Sequence, residues 1–295
     1  MTRYEPAIDL ASIVAIDTHV HIEVDAHGHS SLPADLQEAA SAYFKADGPR
    51  PDLESIAAYY RDRRMAAVVF TVDAETNLGQ APVSSVEIAE GAARHADVLI
   101  PYGSADPHPP DAVDRIRALV EDHGVRGFKF HPTVQGFDPS EARWHPVYAA
   151  IQDAGVPALF HTGQTGIGAG LPGGRGLRLG LSNPMLLDGV AADFPDLQIV
   201  MAHPSVPWQD EALSVATHKH NTWIDLSGWS PKYFPESLVR ASNSYLKDRI
   251  MFGSDFPLIT PDRWMRDAEA ATLFKPEVLP GILSGNAARL LGLGA

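Results

Sequence analysis

Two histidines separated by a single valine stand at the end of an apolar run, where Ile13, Val14, Ala15 and Ile16 lead into Asp17-Thr18-His19-Val20-His21. Ile and Val favour extended backbone. In a strand, side chains alternate between faces, so His19 and His21 project the same way, about 7 Å apart, with Asp17 on that face but deeper. Two imidazoles so placed could share one metal ion. On a helix the same spacing would turn them roughly 200° apart, so the reading requires the strand. Polar residues recur at the ends of other apolar runs: Lys129 and His131, then His161, His203 and Asp255. One histidine in such a position is ordinarily a hydrogen-bonded packing residue. Several brought together with an acid would be costly to bury unless they bound something.

The elements needed to bring them together are legible as an alternation. Apolar runs at 13–21, 66–73, 98–106, 125–132, 156–163, 197–204, 222–228 and 249–257 read as strands. Between them, amphipathic patterns predict helices at 53–64, 83–95, 111–123, 146–154, 183–194, 209–219 and 237–246. A final pair of helices is expected at 276–283 and 284–293. Nearly continuous apolar strands separated by amphipathic helices indicate a parallel sheet covered on both faces, and eight such units predict an α/β fold of the closed (β/α)8 TIM barrel type. An open doubly wound sheet is the alternative, but no glycine-rich phosphate or dinucleotide fingerprint follows the first strand. In a barrel, the C-terminal strand ends converge on one mouth, which would hold a metal site.

No linker-like shift in composition divides the 295 residues, which read as a single barrel domain with a loop insertion at about 23–52. His27 and His29 fall in that polar insertion and read as solvated loop residues. Cysteine is absent, which excludes disulfides, thiolate zinc sites and a cysteine nucleophile. Any metal must therefore be held by nitrogen and oxygen. A formal net charge of −14 argues against a nucleic-acid partner. There is no long apolar run to cross a membrane and no secretion-signal layout at the N-terminus, so a cytoplasmic protein without a membrane partner is expected.

His-Val-His at 19–21, Phe-His-Thr-Gly around His161, Met-Ala-His-Pro around His203 and Phe-Gly-Ser-Asp-Phe-Pro around Asp255 together resemble the amidohydrolase superfamily. Within it they are similar to amidohydrolase family 2, the branch of the aminocarboxymuconate semialdehyde decarboxylase-like enzymes. The resemblance spans essentially the whole chain. It implies one divalent metal ion, Zn2+ or alternatively Mn2+, held by His19, His21, His161 and Asp255. It also implies that His203 is the acid/base or carbonyl-polarising residue, and that Asp255 additionally orients metal-bound water. Three imidazoles and a carboxylate with an open position can lower the pKa of bound water and polarise a carbonyl. Lys129 leaves a choice, since binuclear members carry a carboxylated lysine on the fourth strand. Here an unmodified Lys129 beside a single metal is expected, with Asp17 as a hydrogen-bonding support.

The loop after His161 carries Gln164, Arg175 and Arg178 among many glycines, which suggests capture of an anionic small molecule. Lys129 and His131 are further candidates for substrate contact, and Trp229, with Tyr233 and Phe234, for an aromatic wall. The segments around His161, His203 and 224–231 look like members assigned to hydrolysis of aromatic β-ketoacyl-CoA thioesters. That implies attack of activated water on the aryl ketone and carbon–carbon cleavage to an aryl carboxylate and acetyl-CoA. Alternatives are non-oxidative decarboxylation of an aromatic or unsaturated acid, lactone or ester hydrolysis, and a non-catalytic metal-binding barrel. The resemblance also implies a homodimer.

Overall fold

The computed structural model describes residues 3–45 and 50–294; residues 46–49, including Pro49 of the expected insertion, lie outside the described residues. The first half of the chain runs β1 (Ala15–His21), α1 (Ala34–Phe44), α2 (Leu53–Asp62), β2 (Met65–Phe70), α3 (Glu75–Leu78), α4 (Ser85–Arg94), β3 (Leu99–Pro101) and β4 (Gly103–Ser104). It continues through α5 (Ala112–Glu121), β5 (Phe128–Phe130), α6 (Pro132–Gln135), α7 (His145–Asp153), β6 (Ala158–His161) and α8 (Leu186–Asp193). The last part is β7 (Ile199–Ala202), α9 (Gln209–His218), β8 (Thr222–Asp225), α10 (Glu236–Ser242), β9 (Ile250–Met251), α11 (Pro261–Ala271) and α12 (Asn286–Leu291).

All ladders are parallel, in the orders β1-β2-β3 and β4 to β9. Two seams join these groups into a barrel. At the first, β3 and β4 are one run interrupted at Tyr102: the Tyr102 N–H donates to Val69 O at 2.9 Å, and the Gly103 N–H to Gly127 O at 2.8 Å. At the second, β1 meets the chain leaving β9. Thr18 N–H donates to Phe252 O (3.1 Å), Asp255 N–H to His19 O (3.0 Å) and His21 N–H to Phe256 O (2.8 Å). The expected (β/α)8 architecture is therefore observed, its third stave appearing as two segments.

Alternation along the strands separates two apolar layers. Ile16, Val68, Ile100, Leu159, Val200 and Met251 fill the barrel interior, with Ala287, Ala288 and Leu291 of α12 packed beneath them. Phe128, Phe130, Phe160, Ile199, Met201 and Ile224 face the surrounding helices. The expected final helix pair is instead a π-helical turn, Gly281–Gly285, running into α12. The insertion contains a helix, α1, where a loop was expected. Its helix-forming residues bury little beyond Leu36 and Ala40, so the apolar period is faint. α11 was also unanticipated, although Thr260 caps it through the Arg263 N–H and Pro261 opens its first turn. Among the described residues no helix is long and apolar enough to cross a membrane.

One local feature departs from simple alternation. The register of β1 on β2 shifts between Asp17 and Val20, a bulge that lets Thr18 and His19 both turn inward. Asp17 consequently points out of the barrel, not along the face of the histidines as its spacing suggests. There Oδ2 accepts from the Tyr60 hydroxyl of α2 (2.7 Å), and Oδ1 accepts from the backbone N–H of Ser254 (2.9 Å) and His19 (3.1 Å). Tyr60 is fully buried. Tyr60→Phe removes a donor to a buried carboxylate, and a loss of about 2 kcal/mol in unfolding free energy is expected by urea denaturation, with an unchanged m value.

Candidate metal centre and cavity

Strand ends deliver the polar side chains to one place. His19 and His21 come from β1, Lys129 from β5, and His131 from the residue following it; His161 ends β6, His203 follows β7, and Asp255 lies shortly after β9. His19 Nε2 and His21 Nε2 lie 3.4 and 3.1 Å from the same oxygen, Asp255 Oδ1. Ligand atoms of His19, His203 and Asp255 fall within 4.8 Å of one another. His161 adjoins this group through His203, Nδ1 to Nε2 at 2.9 Å, and the His131 ring stacks on that of His161 with centroids 3.8 Å apart.

Burial sets the protonation of the cluster. It lowers the pKa values of His19, His131, His161 and His203, and Lys129 adds to the effect on each, so the imidazoles are held neutral. Burial pushes the Asp255 carboxyl up, but the His21 hydrogen bond, with the pull of the adjacent imidazoles, outweighs it and holds the group well below the usual carboxylate range. Burial also brings Lys129 down to about 8, against the opposing pull of Asp225 and Asp255. Neutral imidazoles and an ionised carboxylate are the states that ligate metals. His161 Nε2 is buried with no hydrogen-bond partner among the described residues. The buried His/His/Asp group, with that free nitrogen beside it, fits a divalent metal ion.

Two residues of the cluster hold strained backbone. His203 and Asp255 have φ of 71° and 74°, the left-handed region that non-glycine residues seldom occupy. Gly228 makes room for them: a Cβ there would stand 2.6 Å from His203 Nδ1 and 3.3 Å from Asp255 Oδ2.

Above this floor opens a cavity of about 350 Å³, lined by His21, His131, His161, His203 and Asp255 below and by Phe44, Ile167, Trp229 and Leu258 along its walls. Gln164 is also at the cavity, its Nε2 donating to the Tyr43 hydroxyl at 3.2 Å. Lys129 does not reach the cavity. It is fully buried beneath it, with Nζ 3.1 Å from His19 Nε2. Arg175 and Arg178 are not brought there either. The glycine-rich turn at Pro172–Gly176 curls outward through left-handed residues, Arg175 pairs with Asp35 of α1 at 2.7 Å, and Arg178 is exposed. The cations at the cavity are instead Lys45, which caps α1, and Arg263 of α11. Tyr233 joins Trp229 at the wall, while Phe234 packs toward Trp264. His27 is exposed, and His29 Nε2 lies 2.7 Å from Ala81 O, away from the centre.

Asp225 is the residue that sequence reading missed. It ends β8, fully buried, with Oδ2 2.9 Å from His19 Nδ1. An acid closing the apolar run Thr222-Trp223-Ile224 carries the same signal that marked Asp255.

The sequence profile described as amidohydrolase matches residues 16–293, and the chain belongs to that family. It is an enzyme of the amidohydrolase superfamily, in the branch that holds family 2 decarboxylases and hydrolases. A search of curated proteins returns no match. Among solved structures, an uncharacterised TIM-barrel protein of Bordetella bronchiseptica is 23% identical, with 94% of this chain and 98% of that one covered and a TM-score of 0.75. The 5-carboxyvanillate decarboxylase of Novosphingobium aromaticivorans, solved with manganese and 4-hydroxy-3-methoxy-5-nitrobenzoic acid, is 14% identical over 99% of this chain and 100% of its own, with a TM-score of 0.67. A probable 2-pyrone-4,6-dicarboxylic acid hydrolase of Acinetobacter baumannii is 14% identical, covering 95% and 100%, with a TM-score of 0.60. At these identities the likeness is one of fold.

Gly228→Ala places a methyl group against His203 at a positive φ. It is expected to lower stability by about 1–3 kcal/mol, read as a fall in thermal midpoint of several degrees.

Proposed function

We propose that the protein is a metal-dependent hydrolase of carbonyl compounds, with one divalent ion, Zn2+ in the first instance and Mn2+ as the alternative, held by His19, His21, His161 and Asp255. The observation that carries this reading is the convergence of two β1 imidazoles on one Asp255 oxygen at the floor of a cavity that His203 also lines. A divalent ion bound there supplies Lewis acidity, polarising a carbonyl and lowering the pKa of water. The remaining work falls to side chains. His203, neutral and buried, accepts a proton and returns it to the leaving carbon, and Asp255 orients the water. His131, Gln164 and Trp229 line the space for a planar body, and Lys45 and Arg263 attract an anionic end at the rim of an otherwise acidic protein. Lys129 remains an ammonium that balances Asp225 and Asp255.

The specific reaction proposed is hydrolysis of an aromatic β-ketoacyl-CoA. Water adds to the aryl ketone, the bond from that carbon to the neighbouring methylene breaks, and its electron pair takes a proton. The products are an aryl carboxylate and acetyl-CoA. The apolar walls and cationic rim support this substrate class. Decarboxylation of an aromatic acid is the second reading, supported by the shared fold of the manganese-containing carboxyvanillate decarboxylase.

Metal analysis is expected to return about one equivalent per chain; two would overturn the unmodified Lys129 in favour of a bridging carboxylated lysine. Incubation with an aryl β-ketoacyl-CoA in 18O-water should put the label in the aryl carboxylate. Release of carbon dioxide from an aromatic acid, with the thioester left intact, would select the decarboxylase instead. Chelation should abolish turnover and added Zn2+ or Mn2+ restore it. His203→Asn should retain metal while losing about 10²–10⁴-fold in kcat.

A further inference from the structure

We infer that Asp225 is a positioning residue whose two carboxylate oxygens set the tautomers of His19, His203 and, through His203, His161. The inference rests on the metal centre proposed above. It follows from where each hydrogen must lie. Asp225 Oδ1 accepts the backbone N–H of Ser227 at 2.9 Å and that of His203 at 3.3 Å, and it forms a short contact with Ser227 Oγ. The Ser227 hydroxyl donates to this oxygen. That hydroxyl has one hydrogen. Its lone pair must then accept from His203 Nδ1, 2.8 Å away, which fixes the hydrogen of a neutral His203 on Nδ1 and leaves Nε2 bare. His203 Nε2 lies 2.9 Å from His161 Nδ1, so His161 donates from Nδ1 and its Nε2 is left without a hydrogen. That is the atom found buried with no hydrogen-bond partner among the described residues.

The other oxygen acts on the opposite side. Oδ2 accepts from His19 Nδ1 at 2.9 Å, leaving His19 Nε2 bare, and the Lys129 ammonium donates to that nitrogen at 3.1 Å. Asp255 Oδ1 then faces His19 Nε2 across 3.4 Å with no hydrogen between them, a pair of acceptors that the adjoining Lys129 ammonium offsets in part and a shared metal ion would reconcile. The network is held between two glycines. A Cβ on Gly228 would strike His203 Nδ1, and one on Gly253 would lie 3.0 Å from Ser227 Cβ and 3.1 Å from His19 Cβ. One carboxylate thus places the hydrogen of three histidines on Nδ1 and leaves the Nε2 of each as an acceptor.

The test is 15N-histidine spectroscopy of the full chain, metal-free and zinc-loaded, with zinc affinity measured against a competing chromophoric chelator. Wild type should show protonated Nδ1 and bare Nε2 at His19, His203 and His161 before metal is added. Ser227→Ala should release His203 and His161 into mixed tautomers while His19 keeps its own. Asp225→Asn should keep its carbonyl oxygen on the Ser227 and His203 N–H groups and turn its NH2 toward His19 Nδ1, reversing the His19 tautomer and weakening zinc binding about 10–100-fold. A wild-type His203 protonated at Nε2, or a His19 tautomer unchanged in Asp225→Asn, would overturn the inference. Should Asp225→Asn fail to fold, Ser227→Ala decides alone, since it deletes a single hydroxyl and must move His203 without moving His19. A wild type that shows these tautomers yet binds no zinc would sink the metal reading and leave the role of Asp225 standing.

Discussion

Closure of the barrel between β1 and the chain leaving β9 is the constraint on which the rest depends. The hydrogen bonds that make this seam, Asp255 N–H to His19 O and His21 N–H to Phe256 O, run through the same residues whose side chains form the candidate centre. Asp17 pins both edges at once from outside, accepting from Ser254 and His19. The two histidines and the aspartate come from opposite ends of the chain and cannot approach until the eighth stave docks on the first. Assembling the site and closing the fold are therefore the same event. The bulge in β1 adds the last adjustment, turning His19 inward while Asp17 is left to hold the seam.

A dry barrel filled by Ile16, Leu159, Val200 and Met251 would not tolerate isolated charge directly above it. The observed solution mixes states. Burial keeps the four most enclosed imidazoles neutral, and the Lys129 ammonium against His19 feels the carboxylates Asp225 and Asp255. This arrangement leaves ligand atoms of His19, His203 and Asp255 within 4.8 Å of one another, with little net charge to desolvate. A divalent cation suits such a group better than a proton does, because it can be shared by several acceptors at once.

Much of this was legible because barrels put strand ends in one place. His19, His21, His131, His161, His203 and Asp255 each close an apolar run, and counting eight runs was enough to gather them. What resisted reading was whatever depends on conformation within a strand or on pairing between loops. The period of two placed Asp17 beside the histidines, and a one-residue bulge reversed it. Asp225 carried the same signal as Asp255, yet only the distance to His19 gives it a role. α1 is helical with a faint apolar period, so nothing in 34–44 distinguished it from the polar loop around it.

The cationic rim shows most clearly why strands and loops differ in this respect. Arg175 and Arg178 were natural candidates for anion capture because they follow His161 directly, but glycines at 173, 174 and 176 let that turn curl outward until Arg175 meets Asp35. Lys45 and Arg263 reach the cavity instead, one from the end of α1 and the other from the first turn of α11, neither of which had been expected as a helix. A residue on a stave inherits its direction from the barrel, whereas a residue on a loop takes its direction from whichever partner that loop finds. The chemistry at the floor is thus bound to the fold. The cavity walls are drawn from α1, the 163–184 loop and the start of α11, which lie outside the seam.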